Sequence, residues 1–185
     1  AGLLTRFIFF GYPDQTVFDE VHFGKFISGY STHEYFFDIH PPLAKLMLSG
    51  IGYITGFEPS FSFAQIGQQF PDQHYLWLRL LPTIAGIFLP VVIFFLILQL
   101  GMSRLAALAG GMLIILENGL LTQSRFILLD AFLLLFGFTA LLFYFIYSNH
   151  ARNARHSMSY MKSGWPYLFL SGLFGALAVS VKWTG

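Results

Sequence analysis

Two polar clusters interrupt an otherwise apolar chain. "VFDEVHFGKF" at residues 17–26 brings Asp19, Glu20, His22 and Lys25 together, and "FFDIHPPLAK" at residues 36–45 brings Asp38, His40 and Lys45. Further along, Arg79, Glu117, Arg125, Asp130 and Lys182 each stand close to or within long uncharged runs. Carboxylates and imidazoles at a membrane boundary suit proton transfer, while guanidinium and ammonium groups there suit holding an anion such as a phosphate. Each residue also has a plainer use. Asp19 can cap a helix that starts beside it, Glu117 can sit in headgroup water, and Lys182 can snorkel to the surface. Asp130, inside an apolar run, is either functional or half of a packing ion pair, with Arg125 the obvious partner. His22 and His40 fit no metal-binding spacing such as His-Glu-x-x-His, and there is no cysteine. No metal site is expected. A Gly-rich phosphate loop and any nucleic-acid signature are absent as well, so no nucleic-acid partner is expected.

The elements that must position these residues are set by hydropathy. The chain is 56% hydrophobic and only 10% charged, against roughly 25% charged in an ordinary soluble domain, which places it in a membrane. Residues 80–103 and 165–181 carry no charge, 105–124 carry only Glu117, and 126–148 carry only Asp130. Each run is close to the roughly 20 residues that cross a bilayer core. Four crossings result, preceded by the tail of a fifth at residues 1–10. No basic leader or small-residue cleavage site marks a signal peptide. Residues 149–164 hold Arg152, Arg155 and Lys162 without an acid, so that loop is cytoplasmic by the positive-inside tendency. Three crossings separate it from segment 11–79, which lies on the outer or lumenal side. The ends of the remaining spans then carry Arg79, Glu117, Arg125, Asp130 and Lys182 to the same face. Asp130 falls about 7.5 Å deeper than Arg125 if one helix holds both.

Segment 11–79 has structure of its own. After Pro41 and Pro42, the residues Leu43, Leu46, Met47, Gly50, Ile51 and Ile54 follow helical spacing. A helix of about 13 residues reaches only about 20 Å, too short to span, so it is expected to lie in the interface. Phe23, Phe26, Ile27 and Tyr30 form a similar stripe that leaves Glu20 and Lys25 on another face, with the Asp19 carboxylate as helix cap. Residues 56–74 read as irregular loop.

Taken in order, "FDEVHFGKF", "YFFDIHPPLAKLM", "LRLLPTIAG", "ENGLLTQSRFILLDA" and "SVKWTG" closely resemble the protein O-mannosyltransferases, membrane glycosyltransferases of the GT-C fold class. The resemblance runs over essentially the whole chain. It implies an all-α polytopic membrane protein, of which residues 1–185 are the amino-terminal part of the catalytic domain: residues 1–10 end the first transmembrane helix, 11–79 form the lumenal or outer catalytic loop, and 80–185 add four crossings. It also implies transfer of mannose from a polyprenyl (dolichyl) phosphate to Ser or Thr hydroxyls of proteins, without a metal or other cofactor, at the bacterial plasma membrane or the endoplasmic reticulum. Membrane lipids and a second family member as dimer partner belong to the same expectation. On the matching motifs, Asp19 is the family's catalytic aspartate with Glu20 beside it, Arg79 is needed for activity, and Asp38 and His40 belong to a loop around the site.

Chemistry adds roles for the rest. A carboxylate at Asp19 can take the hydroxyl proton during attack on the anomeric carbon, and a single displacement inverts the configuration. Arg125 and Lys182 are placed by topology to hold the departing phosphate, while Arg79 either joins them or orients Asp19 or Glu20. His22, Glu117 and Asp130 complete the polar set at that face. Two rival functions fit the composition, namely another GT-C transferase, such as one moving aminoarabinose to lipid A, and a transporter. Charges gathered at one face rather than at the midplane disfavour the transporter.

Overall fold

The computed structural model describes the backbone of residues 1–153 and 158–183 and the side chains of residues 1–152 and 164–183. Arg155 and the side chain of Lys162, on which the cytoplasmic assignment draws, lie outside the described residues. The helices are α1 (Gly2–Phe7), α2 (Glu20–Thr32), α3 (Leu43–Thr55), α4 (Tyr75–Gln99), α5 (Arg104–Leu116), α6 (Asn118–Gln123), α7 (Asp130–Asn153) and α8 (Met158–Val179). Among the described residues there is no strand, only an antiparallel bridge between Gln15 and Gln69. The helix α4 and the stretch Asp130–Arg152 of α7 are long and apolar enough to cross a membrane.

The run 105–124 does not form one helix. Glu117 ends α5 in an extended conformation (ψ 118°), and its carboxylate accepts the Gly119 and Leu120 amides at 3.0 and 2.5 Å to start α6. A side chain that satisfies the free amides of a new helix competes with continuing the old one. Glu117 therefore serves as an exposed helix cap. Residues 124–129 are likewise non-helical, so α7 begins only at Asp130.

The helices α7 and α8 run antiparallel and pack along their length, with α4 against α7 and α5 against α4. Aromatic contacts carry much of the α7–α8 seam, with Phe136, Phe143, Tyr167 and Phe174 at centroid distances of 5.7–6.3 Å. One core cluster lies deep in the bundle, built on Leu89, Ile93, Leu96 and Leu142. A larger one lies where segment 11–79 closes over one end: Phe23 and Ile27 of α2, Ala44 and Leu48 of α3, Phe61 and Phe63 of the loop, Leu78 of α4, then Ile127, Leu128, Leu129 and Val181. Burying each such side chain contributes about 1.5–3 kcal/mol, so the loop is part of the folded core. Residues 56–74 are non-helical, yet Phe63 sits so tightly on α2 that a Cβ at Gly24 would lie 2.1 Å from its ring.

Both loop helices form where their spacing predicts, with different faces inward. The helix α3 buries Ala44, Lys45, Leu48, Ser49 and Gly52, and leaves Leu46, Gly50 and Ile54 of the apolar stripe exposed. The helix α2 buries Glu20 together with Phe23 and Ile27, rather than turning Glu20 to another face. In each helix a charged residue goes inward because an opposite charge waits there.

Candidate active site

The first of those pairs is Glu20 with Arg79, each with no exposed side-chain surface. Arg79 lies in the first turns of α4 and uses all its donors. Nε and Nη2 each donate to the Glu20 carboxylate at 2.8 Å, Nη1 donates to the Gly11 and Pro13 carbonyls at 2.8 and 2.7 Å, and Nη2 also donates to the Gln15 carbonyl at 3.0 Å. The Glu20 oxygens accept in addition the amides of Val17 at 2.9 Å and Ile127 at 3.0 Å. Rings of Phe70, Tyr75 and Phe126 stand 4.9–5.3 Å from the guanidinium. A bidentate Arg–carboxylate pair with every donor used has no bond left for a substrate. Of the two roles open to Arg79, the geometry supports orientation of Glu20 over a place among phosphate-holding cations. Glu20 and Arg79 bind residues 11–17, α2, α4 and residue 127 into one frame.

Asp19 stands at the edge of that frame. It occupies the cap position of α2, but its backbone (φ −74°, ψ 0°) is not that of an ordinary N-cap and its carboxylate makes no cap hydrogen bond. Its carbonyl accepts the His22 and Phe23 amides instead, at 2.9 and 3.0 Å. The preceding Phe18 takes φ 48°, a left-handed conformation uncommon for a bulky residue. The expected capping role is thus not realised, and the half-buried carboxylate is unengaged among the described residues. His22, three residues on in α2, is exposed.

The second inward charge is Lys45 on α3, a member of the second polar cluster to which the sequence assigns no role. Its ammonium pairs with Asp38, donates to the His40 carbonyl at 2.8 Å and lies 4.9 Å from the centre of the Phe26 ring. This staple fixes the Asp38–Pro42 loop, and the His40 ring lies 6.4 Å from that of Phe23. The Leu43 amide then donates to the Ser180 carbonyl at 3.1 Å, which brings the loop to the end of α8 beside Lys182.

Burial tends to raise the Asp38 carboxyl, but the hydrogen bond from Lys45, a backbone bond at His40 and the charges of Lys45 and His40 outweigh it and hold the group below its ordinary value. A depressed native pKa gives stability that is complete above the unfolded pKa of about 3.9 and is lost as pH falls through the native value. Wild type should therefore melt above Asp38→Asn by a constant margin from pH 7 down to pH 5, and that margin should shrink below about pH 4. Thermal unfolding of the purified protein measures it, and an equal margin at pH 3 and pH 6 would contradict the assignment.

Arg125 and Asp130, expected as partners, part company. Because residues 124–129 leave the helix, Arg125 turns back to the turn that follows α1, where Nη2 donates to the Ile8 and Phe9 carbonyls at 2.9 and 2.7 Å. Asp130 meets Lys182 instead, Nζ to Oδ1 at 2.6 Å. A further arginine that sequence reasoning passed over, Arg6, is wholly buried near Gly86 and Ser124. The only sequence signal for it was a charge within the opening apolar run. No group of three or more potential metal ligands occurs among the described residues.

The arrangement is an all-helical bundle with long apolar helices. At one end a structured loop sets a half-buried carboxylate beside a closed ion-pair frame, and the same loop reaches the segment after α8 that carries Lys182. The chain matches the family model described as dolichyl-phosphate-mannose-protein mannosyltransferase over residues 1–185, and it belongs to that family. It is 36% identical, over its whole length, to dolichyl-phosphate-mannose–protein mannosyltransferase 4 of Candida albicans and to protein O-mannosyl-transferase 1 of Homo sapiens, and covers 24% of each. It is 41% identical to protein O-mannosyltransferase 1 of Drosophila melanogaster over 132 residues, 71% of this chain and 15% of that one. Among solved structures it is similar to the S. cerevisiae protein O-mannosyltransferase Pmt1-Pmt2 complex bound to the sugar donor, with a TM-score of 0.89 and 32% identity over 98% of this chain and 24% of that one. The chain thus spans about a quarter of the length of the full-length relatives it matches.

Proposed function

We propose that the full protein transfers mannose from a dolichyl or other polyprenyl phosphate to Ser or Thr hydroxyls of proteins, and that the residues described here form the acid–base and phosphate end of its site. The observation that carries this reading is the contrast between Asp19 and Glu20. Adjacent acids at the same bundle end differ completely in engagement, with one locked into Arg79 and the other half-buried and free. A free carboxylate held by a rigid neighbour is what a general base requires. In this reading Asp19 accepts the hydroxyl proton, the hydroxyl oxygen attacks the anomeric carbon, and the lipid phosphate leaves from the opposite side, which inverts the configuration. The leaving group is already a stable anion, so it needs positive charge more than a proton. Lys182 supplies a point charge, and Arg125 keeps Nη1 unengaged among the described residues. Fixed cations do this work without a metal.

The membrane arrangement follows. Residues 1–10 complete one span, α4, the α5–α6 pair, α7 and α8 add four, and segment 11–79 lies on the lumenal or outer side. The exposed face of α3, with Leu46, Tyr53 and Ile54, suits the lipid interface and keeps the Asp38–Pro42 loop at headgroup depth. A donor whose tail stays in the bilayer presents its phosphate at that depth. The structural relative is a complex of two family members, and we extend a paired assembly to this protein, in the endoplasmic reticulum membrane or a bacterial plasma membrane.

The test is transfer of radiolabelled mannose from polyprenyl phosphate mannose to a Ser/Thr peptide by membranes holding the full-length protein. Peptide labelling that stops when its Ser and Thr are replaced by Ala is expected. Failure to label the peptide while a lipid acceptor is glycosylated would overturn the reading.

A further inference from the structure

The ion pairs at this bundle end differ in how firmly they are held. Glu20 and Arg79 are sealed, and Lys45 and Asp38 are 2% and 9% exposed with a second bond to a carbonyl. Lys182 and Asp130 are 17% and 28% exposed and share one contact. Lys182 has three N–H donors and uses one among the described residues. Asp130 accepts through Oδ1 alone, and its Oδ2 has no partner among the described residues. Nor is the pair needed to hold its helices together, since the aromatic seam between α7 and α8 does that. A partly exposed pair with a single contact is the kind that an incoming anion can open at small expense, whereas opening a sealed one strands a charge.

We propose that Asp130 is an exchangeable counter-ion for the donor phosphate. It occupies the Lys182 ammonium in the empty protein and releases it when the lipid phosphate arrives. Asp130 remains solvated after release, because its side chain is already 28% exposed and it starts α7, where a carboxylate is favoured by the helix amides. On departure of the spent carrier it reclaims Lys182. Asp130 therefore acts through Lys182 as a positioning residue: it weakens donor binding and speeds loss of the polyprenyl phosphate product. The inference rests on the placement of the donor phosphate at Lys182 proposed above.

The experiment measures donor KM and inhibition by polyprenyl phosphate for full-length wild type, Asp130→Asn, Lys182→Ala and the double variant. Removing the competitor should lower the donor KM and strengthen product inhibition by about two- to five-fold each in Asp130→Asn, the scale of one partly exposed ion pair. Turnover should fall as release slows. Lys182→Ala should raise the donor KM, and adding Asp130→Asn to it should change nothing further, because the acid acts through the lysine. Should Asp130→Asn not accumulate as folded protein, Asp130→Ser also removes the charge, keeps a helix-starting side chain and gives the same readout. An unchanged or raised donor KM in Asp130→Asn, with Lys182→Ala impaired, would overturn the exchange and leave the phosphate site standing. A lowered KM that persists in the double variant would mean direct repulsion of the phosphate by Asp130, which also overturns exchange. An unchanged donor KM in Lys182→Ala would remove the phosphate from this lysine and end both readings.

Discussion

Asp19→Asn is expected to lower mannose transfer by about 10²- to 10⁴-fold, the usual contribution of a positioned general base. Donor binding and the melting temperature should stay close to wild type. The carboxylate makes no cap hydrogen bond and has no partner among the described residues, so its replacement by an amide of the same shape disturbs none of them. Rate and fold are thereby separable at this residue, which they are not at Glu20. Initial rates at saturating donor and acceptor, alongside titration of donor binding, give the two readouts. Transfer by Asp19→Asn at near wild-type rate would remove the base and with it the chemical reading of the site. A loss of stability equal to the loss of rate would mean that Asp19 serves the fold.

Much of the scaffold is legible from hydropathy because apolar runs and short amphipathic periods are local properties. The charge-free run 80–103 overlaps α4, and the helix starting behind Pro42 begins at Leu43. What sequence spacing does not carry is which long-range partner each charge meets. Glu20 is drawn inward by an arginine 59 positions away, and Lys182 finds Asp130 across 52 positions. Assigning Arg125 to Asp130 assumed one helix through both. The chain leaves the helix at Ser124, where Thr83 on α4 lies 3.0 Å from its carbonyl and Gly86 leaves room for its side chain. That close approach belongs to packing between elements and has no signature in the local run. Which face of α3 turns inward is hidden from the sequence for a related reason. With apolar residues on both faces, periodicity cannot choose a side, and the single cation among them, Lys45, decides it by pairing with Asp38.

The buried frame supplies the largest expected effect on stability. Arg79→Ala leaves the Glu20 carboxylate wholly buried with its two strongest bonds gone, and takes a donor from three loop carbonyls, of which Gly11 keeps the Tyr75 hydroxyl. Breaking one side of such a pair typically costs about 3–5 kcal/mol, a large part of the roughly 5–15 kcal/mol that holds a domain together. Glu20→Gln should be similarly harmful, since the new amide group directs N–H donors at the N–H donors of Arg79, Val17 or Ile127. Arg79→Lys should not rescue, because a point charge cannot serve two carboxylate oxygens and three carbonyls at once. Replacing both partners by apolar residues, Glu20→Leu with Arg79→Met, removes the stranded charge and should recover part of the loss that either single change produces. Thermal unfolding in detergent ranks the four variants. If the pair were catalytic rather than structural, the single variants would melt like wild type and fail only in turnover. In the arrangement described here the order is reversed. Activity falls because the 11–17 loop, α2 and residue 127 lose their common anchor, and the surviving folded fraction keeps Asp19 in place only as far as the frame persists.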